Sequence, residues 1–181
     1  MALYRAAVAH ADHSDQPTAP QFRILSHNNL AYHMHLLRPG DPAALAYAEE
    51  GLRLAQEQGN LGMMTYLYST EGEIALGQGD LETAERHFKD GLSLSERLNM
   101  PERVAGLTAN LGLVAQARGE SALALYRFSA AMAQADAIGT RHLASQIRLW
   151  LAPLLPPAEG RVRLAEVRAF VESEGRARLL Q

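Results

Sequence analysis

A forty-residue echo runs through this chain, and it is the feature that most restricts the fold. Gly72-Glu73-Ile74-Ala75 returns as Gly112-Leu113-Val114-Ala115, a step of 112 − 72 = 40 residues. The landmarks that follow keep the step: Gly79-Asp80 returns as Gly119-Glu120, Ala84 as Ala124, Phe88 as Phe128 and Leu92 as Met132. Gly51-Leu52 precedes Gly91-Leu92 by the same interval, and Gly59, Asn99 and Gly139 are evenly spaced by it. Self-similarity at this period belongs to arrays in which each supersecondary unit buries its apolar face against the next.

The evenly spaced trio reads as helix stops, because glycine enters the left-handed region without steric cost and asparagine is the next best residue there. Starts lie just beyond. Asn60 and Thr140 are suitable N-caps, Asp41-Pro42 joins a capping carboxylate to a proline at the first helical position, and Pro101 can take that first-turn role after Asn99. The stretches between are rich in Ala, Leu, Glu, Gln and Arg, with apolar residues three and four apart and no strand-like alternation. Nine helices are predicted, at about 2–12, 21–37, 42–58, 61–77, 81–98, 101–118, 121–138, 141–155 and 159–174, with ends uncertain by ~2–4 residues. The first is a lone second-helix of a half-repeat: Ala2-Leu3-Tyr4-Arg5 echoes Ala124-Leu125-Tyr126-Arg127. Residues 1–181 are therefore read as one all-α domain, with a lone helix in 1–13 and pairs at 21–58, 61–98, 101–138 and 141–175. Ser14 to Pro20, polar and proline-containing, reads as a loop or loosened joint.

Composition removes several function classes. A 48% hydrophobic content over 181 residues supplies a sizeable core. A net charge of −3 with scattered charges leaves no electrostatic footprint for nucleic acid through this segment. Without cysteine there is neither a disulfide framework nor a thiolate metal site. Met1 to His13 carries Arg5 and Asp12 and has no secretory-signal pattern, and Leu149 to Leu155 falls far short of the ~20 apolar residues of a membrane span. A cytoplasmic protein with no membrane partner is expected.

Leu111-Gly112 followed by Gly119, Ala124 and Phe128 resembles the tetratricopeptide repeat (TPR) signature, in which a Leu-Gly pair on the first helix precedes Ala-x3-Phe on the second. Gly72, Gly79, Ala84 and Phe88 repeat it, with Glu71 standing where Leu is expected. The small residues let two helix backbones approach, and the ring is expected to fill the space between adjacent pairs. Thr108, Ala75 and Ala115 replace the family's first-helix aromatics, with Tyr68 one bulky ring nearby. The forty-residue step exceeds the ~34 of the commonest repeat. It looks like the longer variant found in scaffold proteins and in the sensor arms of bacterial transcription activators, the maltose-regulon activator type among them, and of signalling ATPases. The resemblance implies a right-handed α-α superhelix and is good over 28–139. At the ends it weakens: Asn29-Leu30-Ala31 aligns with Asn110-Leu111-Gly112 but Ala48 takes the Phe place, and Trp150-Leu151-Ala152 aligns with the same triplet but Pro153 and Pro156-Pro157 interrupt the helix. A chain starting in mid-repeat suggests a piece or one end of a longer array.

Candidate chemistry is sparse. His27, His33 and His35 share a helix, but residues two apart point about 200° apart, so they cannot converge on one ion unaided. His10, Asp12 and His13 read as a polar helix end. The carboxylate pairs Glu71 and Glu73, Glu82 and Glu85, and Glu49 and Glu50 read mostly as solvated helix faces, since a catalytic pair needs an apolar pocket and a convergent partner. The glycines form neither a phosphate-binding loop nor a dinucleotide fingerprint. Arg161, Arg163, Arg168, Arg176 and Arg178 make a modest basic tail. No cofactor, metal or catalytic residue is expected, and the chain is read as non-enzymatic.

In proteins of the resembled family the first helices of successive pairs line a groove. Carried along the register, that face comprises Asn28, Asn29, Tyr32 and His35, then Tyr66, Ser69, Thr70 and Glu73, then Ala109, Asn110, Leu113 and Gln116. Asparagine can both donate to and accept from a main chain, and tyrosine adds area with a polar tip. The row points to a scaffold or sensor module for a protein or peptide segment, in signalling or transcription regulation. A small effector is the alternative ligand. The alternative function is a homodimerisation module using exposed apolar faces that include Trp150 and Leu154. Asn29 and Asn110 are expected to form a ladder with Thr70, and Phe88 and Phe128 to occupy equivalent buried positions against the following pair.

Overall fold

The computed structural model describes residues 2–13 and 19–174. Among them lie nine α-helices and no strand: α1 (Ala2–Asp12), α2 (Ala19–Leu37), α3 (Pro42–Glu57), α4 (Leu61–Gly77), α5 (Leu81–Arg97), α6 (Pro101–Ala117), α7 (Ser121–Ala137), α8 (Arg141–Leu151) and α9 (Pro157–Ser173), with one turn of 3-10 helix at Ala152–Leu154. The all-helical expectation holds, and most boundaries fall within two residues of those predicted. Asp41 accepts from the Ala43 N–H at 3.0 Å, Asn60 from Met63 at 3.2 Å and Asp80 from Thr83 at 3.0 Å, each satisfying an N–H that the first turn leaves without a helical acceptor. Thr140 stands at the head of α8 but its hydroxyl donates instead to the Ala135 carbonyl at 3.1 Å, closing the preceding helix rather than capping its own.

The stops are as expected. Gly59, Asn99 and Gly139 have φ of 61°, 53° and 75°, and the amide after each bonds back across the turn, Asn60 to Ala55, Met100 to Ser95 and Thr140 to Ala135, at 2.8, 2.9 and 3.0 Å. Two ends differ from prediction. The start of α2 comes at Ala19, because Pro20 fits the first turn, where its missing N–H is not needed, so Ala19 and Pro20 of the expected joint are helical, and its residues 14–18 lie outside the described residues. At the other end α8 stops at Leu151, tightens into the 3-10 turn around Pro153, and α9 opens on Pro157.

The chain divides into two compact units, 1–103 and 104–181. In the first, α1 packs on α2, α2 on α3, α3 on α4 and α4 on α5, while α2 also meets α4. Val8, Leu30, Ala31, Met34, Ala44, Ala48 and Ile74 form one buried cluster, and Ile24, Ala55 and Leu67 a second. The second unit is built on Ala109, Ala115, Ala124, Phe128, Ala131, Ala135, Ala144, Ile147 and Leu151.

Phe88 and Phe128 are both 0% exposed, in equivalent places. A Cβ at Gly72 would lie 2.6 Å from Phe88 Cδ1, and one at Gly112 2.7 Å from Phe128 Cε1, so each ring lies flat on the bare backbone of the preceding helix. The first hairpin reverses the solution. Ala48 replaces the ring, which leaves room for a methyl, and Ala31 stands where the later repeats need glycine. Trp150 and Leu154, read as parts of an exposed face, are instead half-buried against the second unit's core, the indole 6.1 Å from the Phe128 ring. An aromatic at that level finds a cavity floor made mostly of alanines, and burying it there gains more than leaving it in water.

Candidate functional site

The expected row divides into residues that hold the helices together and residues that are presented outward. Asn28 and Thr70 belong to the first group: both are buried, and the Thr70 hydroxyl donates to Asn28 Oδ1 at 2.9 Å, tying α2 to α4. The partner of Thr70 is therefore Asn28 and not the expected Asn29, and the bond lies in the interior. Helical spacing puts Asn28 toward α4, whereas Asn29 lies ~100° further round and is only half-buried. Asn110 is buried within the second unit, where Leu113 rests on the core cluster and Gln116 is half-buried.

Outward-facing chemistry gathers on α2, α4 and the first turn of α6 in the first unit. Tyr66 is 41% exposed, and the Arg103 guanidinium lies over its ring at 4.2 Å from the centroid, a cation–π contact that stiffens both. Arg103 also donates from Nη2 to the Thr65 carbonyl at 3.2 Å, while its buried Nε has no hydrogen-bond partner among the described residues. Burial pulls the guanidinium below its ordinary pKa, and the Tyr66 phenol, Glu73 and Glu102 oppose that shift. One turn along α4, Ser69 donates to Glu73 Oε1 at 3.1 Å. The Glu73 carboxylate is close enough to Tyr32 that, after burial, it is the second cause holding the phenol proton more tightly than usual. Half-buried His35 crosses α4 where Gly77 is bare: a Cβ there would stand 2.6 Å from its Cε1, and burial lowers the imidazole's pKa. Tyr32, Tyr66, Glu73 and Arg103 thus form an amphipathic surface, and Ser69, only 7% exposed, bonds Glu73 from beneath it.

Two residues matter here that the sequence did not single out correctly. Arg103 was not picked out at all, although the register aligns it with Met63, an apolar place, and that was the available signal. Glu71, read with the solvated carboxylates, is only 3% exposed. Its place is that of Leu111 one step later, so the packing that buries Leu111 buries the carboxyl too. Among the other flagged groups, Arg163 pairs with Glu166 at 3.2 Å and Arg168 with Glu172 at 2.9 Å, which occupies much of the basic tail. Arg176 and Arg178 lie outside the described residues. His27 is buried with its Nδ1 2.9 Å from the Arg23 carbonyl. His13 binds the Ala9 carbonyl at 2.7 Å, and the Asp12 side chain lies outside the description. Among the described residues no three His, Asp or Glu side chains gather as a metal site, and no helix is long and apolar enough to cross a membrane.

Solved structures share this fold. BtubC (BKLC) from P. vanneervenii superimposes with a TM-score of 0.66 at 20% identity, covering 99% of this chain and 72% of its own. PlcR from Bacillus thuringiensis, in complex with the peptide PapR7 and DNA, gives a TM-score of 0.76 at 14% identity over 97% of this chain and 66% of its own. A signal transduction ATPase with numerous domains from Pyrococcus horikoshii, which has a tetratricopeptide repeat sensor, gives 0.65 at 14% identity over 94% of this chain and 26% of its own. At such identities the likeness is one of fold. The chain spans about two thirds of PlcR and a quarter of the ATPase. No protein-family model matches the sequence, and no curated protein does.

Proposed function

We propose that this chain is a non-enzymatic TPR-type interaction module that captures a short peptide or protein segment, as the sensor part of a regulatory protein. The observation that carries the reading is the surface formed by Tyr32, Tyr66, Glu73 and Arg103, with buried Ser69 behind it. The Ser69–Glu73 bond and the Arg103–Tyr66 stack hold its polar groups in place before any partner arrives. A preorganised surface loses less entropy on binding, and an exposed tyrosine beside fixed donors and acceptors suits an extended main chain. The Leu-Gly and Ala-x3-Phe register supports the repeat family. The fold shared with a peptide-bound regulator and with an ATPase carrying a tetratricopeptide repeat sensor supports the regulatory setting.

The test starts from panning a random heptapeptide display library against the full chain and measuring the enriched peptides by fluorescence anisotropy. Tyr66→Ala combined with Glu73→Gln should weaken them ~10-fold or more, the scale of one or two lost anchors. Tyr126→Ala, on α7 and 71% exposed, should leave them unchanged. Peptides that bind the double variant as tightly as the native protein, or a library that yields none, would refute the proposal.

A further inference from the structure

The most unusual group in the molecule lies off that surface, inside the α4/α5 hairpin. Glu71 on α4 is 3% exposed in a place that the next repeat gives to Leu111, so an ionisable carboxyl occupies a space shaped for an aliphatic chain. Its Oε2 is 3.1 Å from Nδ1 of His87 on α5, yet the two are not aligned as a hydrogen bond, and neither atom has a hydrogen-bond partner among the described residues. On the far side of the ring Arg86 Nη2 is 3.2 Å from Nε2. Guanidinium can only donate, so Nε2 accepts and the ring hydrogen sits on Nδ1. The imidazole beside the carboxyl is therefore neutral and gives it neither a charge nor an aligned donor.

We propose that the buried Glu71 carboxyl, packed against His87, is a proton-operated latch, which lets α5 close on α4 while Glu71 is protonated and loosens the hairpin once the carboxyl gives its proton to water. In the closed state the carboxyl is uncharged and rests against the imidazole without a hydrogen bond to it. After ionisation a full negative charge is left buried with no hydrogen-bond donor to Oε2, and local opening toward solvent relieves it. The other groups facing the pair do not compensate. From α3, Glu49 adds a second negative charge, and from α5, Arg86 supplies a cation already engaged by the ring. Asp90 and Asp80 act on the imidazole, Tyr68 flanks it with ring centroids 6.1 Å apart, and α2 meets α4 through the neutral Asn28–Thr70 bond.

The direction follows from those surroundings. Burial, with Glu49 second, raises the Glu71 carboxyl to about 7. A raised folded-state value means that its contribution is fully present below the ordinary carboxylate range and is lost as pH rises through about 7. Burial and then Arg86 lower His87, so its contribution is present above the usual imidazole range and fades on acidification. The latch is consequently closed in mildly acidic solution and loosened above neutrality.

Two measurements on the full chain test this. Carbon-13 carboxyl shifts of glutamate-labelled protein, with Glu71 assigned by its absence from Glu71→Gln, should show one carboxyl titrating near neutrality. Amide exchange at pH 6 and pH 8, corrected for intrinsic rates, should reveal a ~10-fold loss of protection in 81–97 in the native chain, the factor that linkage gives over this interval for a carboxyl raised to about 7. The loss should be absent in Glu71→Leu, which copies Leu111. A Glu71 carboxyl titrating in the ordinary range, or the same loss of protection in Glu71→Leu, overturns the proposal. If the variants do not fold, the lone high-titrating signal in the native spectrum decides the matter.

Discussion

Adding one methyl group at Gly112 should destabilise the second unit, although alanine is the better helix former. In an open helical position Gly→Ala stabilises by ~0.5–1 kcal/mol. At Gly112 the new Cβ would stand 2.7, 2.8 and 3.2 Å from three atoms of the Phe128 ring. Ordinary contact needs ~3.5 Å or more, so the ring must retreat by ~0.7 Å or the helices must part. Retreat is blocked. Phe128 is 0% exposed, enclosed by the alanine-lined cluster, with Trp150 at 6.1 Å between centroids. Overpacking of this kind costs ~1–3 kcal/mol and occasionally more, so a net loss of ~1–2 kcal/mol is expected. Trp150 is the sole tryptophan and belongs to the same unit, so urea unfolding followed by its fluorescence reports the affected region. Two controls identify the cause. Gly106→Ala, where a Cβ meets nothing within 4 Å, should stabilise by ~0.5–1 kcal/mol, and Phe128→Leu should couple favourably with Gly112→Ala by ~1 kcal/mol or more. If Gly112→Ala stabilises as Gly106→Ala does, the ring is not seated on that helix and the packing assignment is wrong.

Other perturbations separate local geometry from tertiary bonding. Asn99, at φ 53°, is a non-glycine residue in the left-handed region, so Asn99→Gly should be neutral to mildly stabilising and Asn99→Val should cost ~1–2 kcal/mol in thermal melts. Equal melting of the two would contradict the turn conformation. Thr70→Val should cost ~1–3 kcal/mol by leaving Asn28 Oδ1 buried without its donor. Combining it with Asn28→Leu should recover part of that loss, whereas strictly additive losses would mean that the two side chains do not interact.

Local rules settled much of this protein before any packing was considered. Gly59, Asn99 and Gly139 end helices because the left-handed backbone favours glycine and then asparagine, whatever lies nearby. Asp41, Asn60 and Asp80 cap the helices that follow because a short side-chain oxygen reaches the free N–H groups of its own first turn. That Phe88 and Phe128 are equivalent buried rings was also legible, since the forty-residue register repeats both, but their seats on Gly72 and Gly112 came only with the packing of each hairpin. Tertiary structure decided which polar side chains are spent on the interior. Along a helix one residue is ~100° of rotation, so nothing in the adjacent letters Asn28 and Asn29 tells which meets Thr70. Glu71 and Glu73 carry the same functional group two residues apart. One is buried opposite His87 and the other is half-buried and accepts from Ser69, because the former occupies the leucine place of the repeat. Arg103 gained its role only when α6 laid it over Tyr66, a residue 37 positions earlier in the chain. Contacts across such separations depend on how one helix face is turned toward another, and turns and caps, being local, do not encode it.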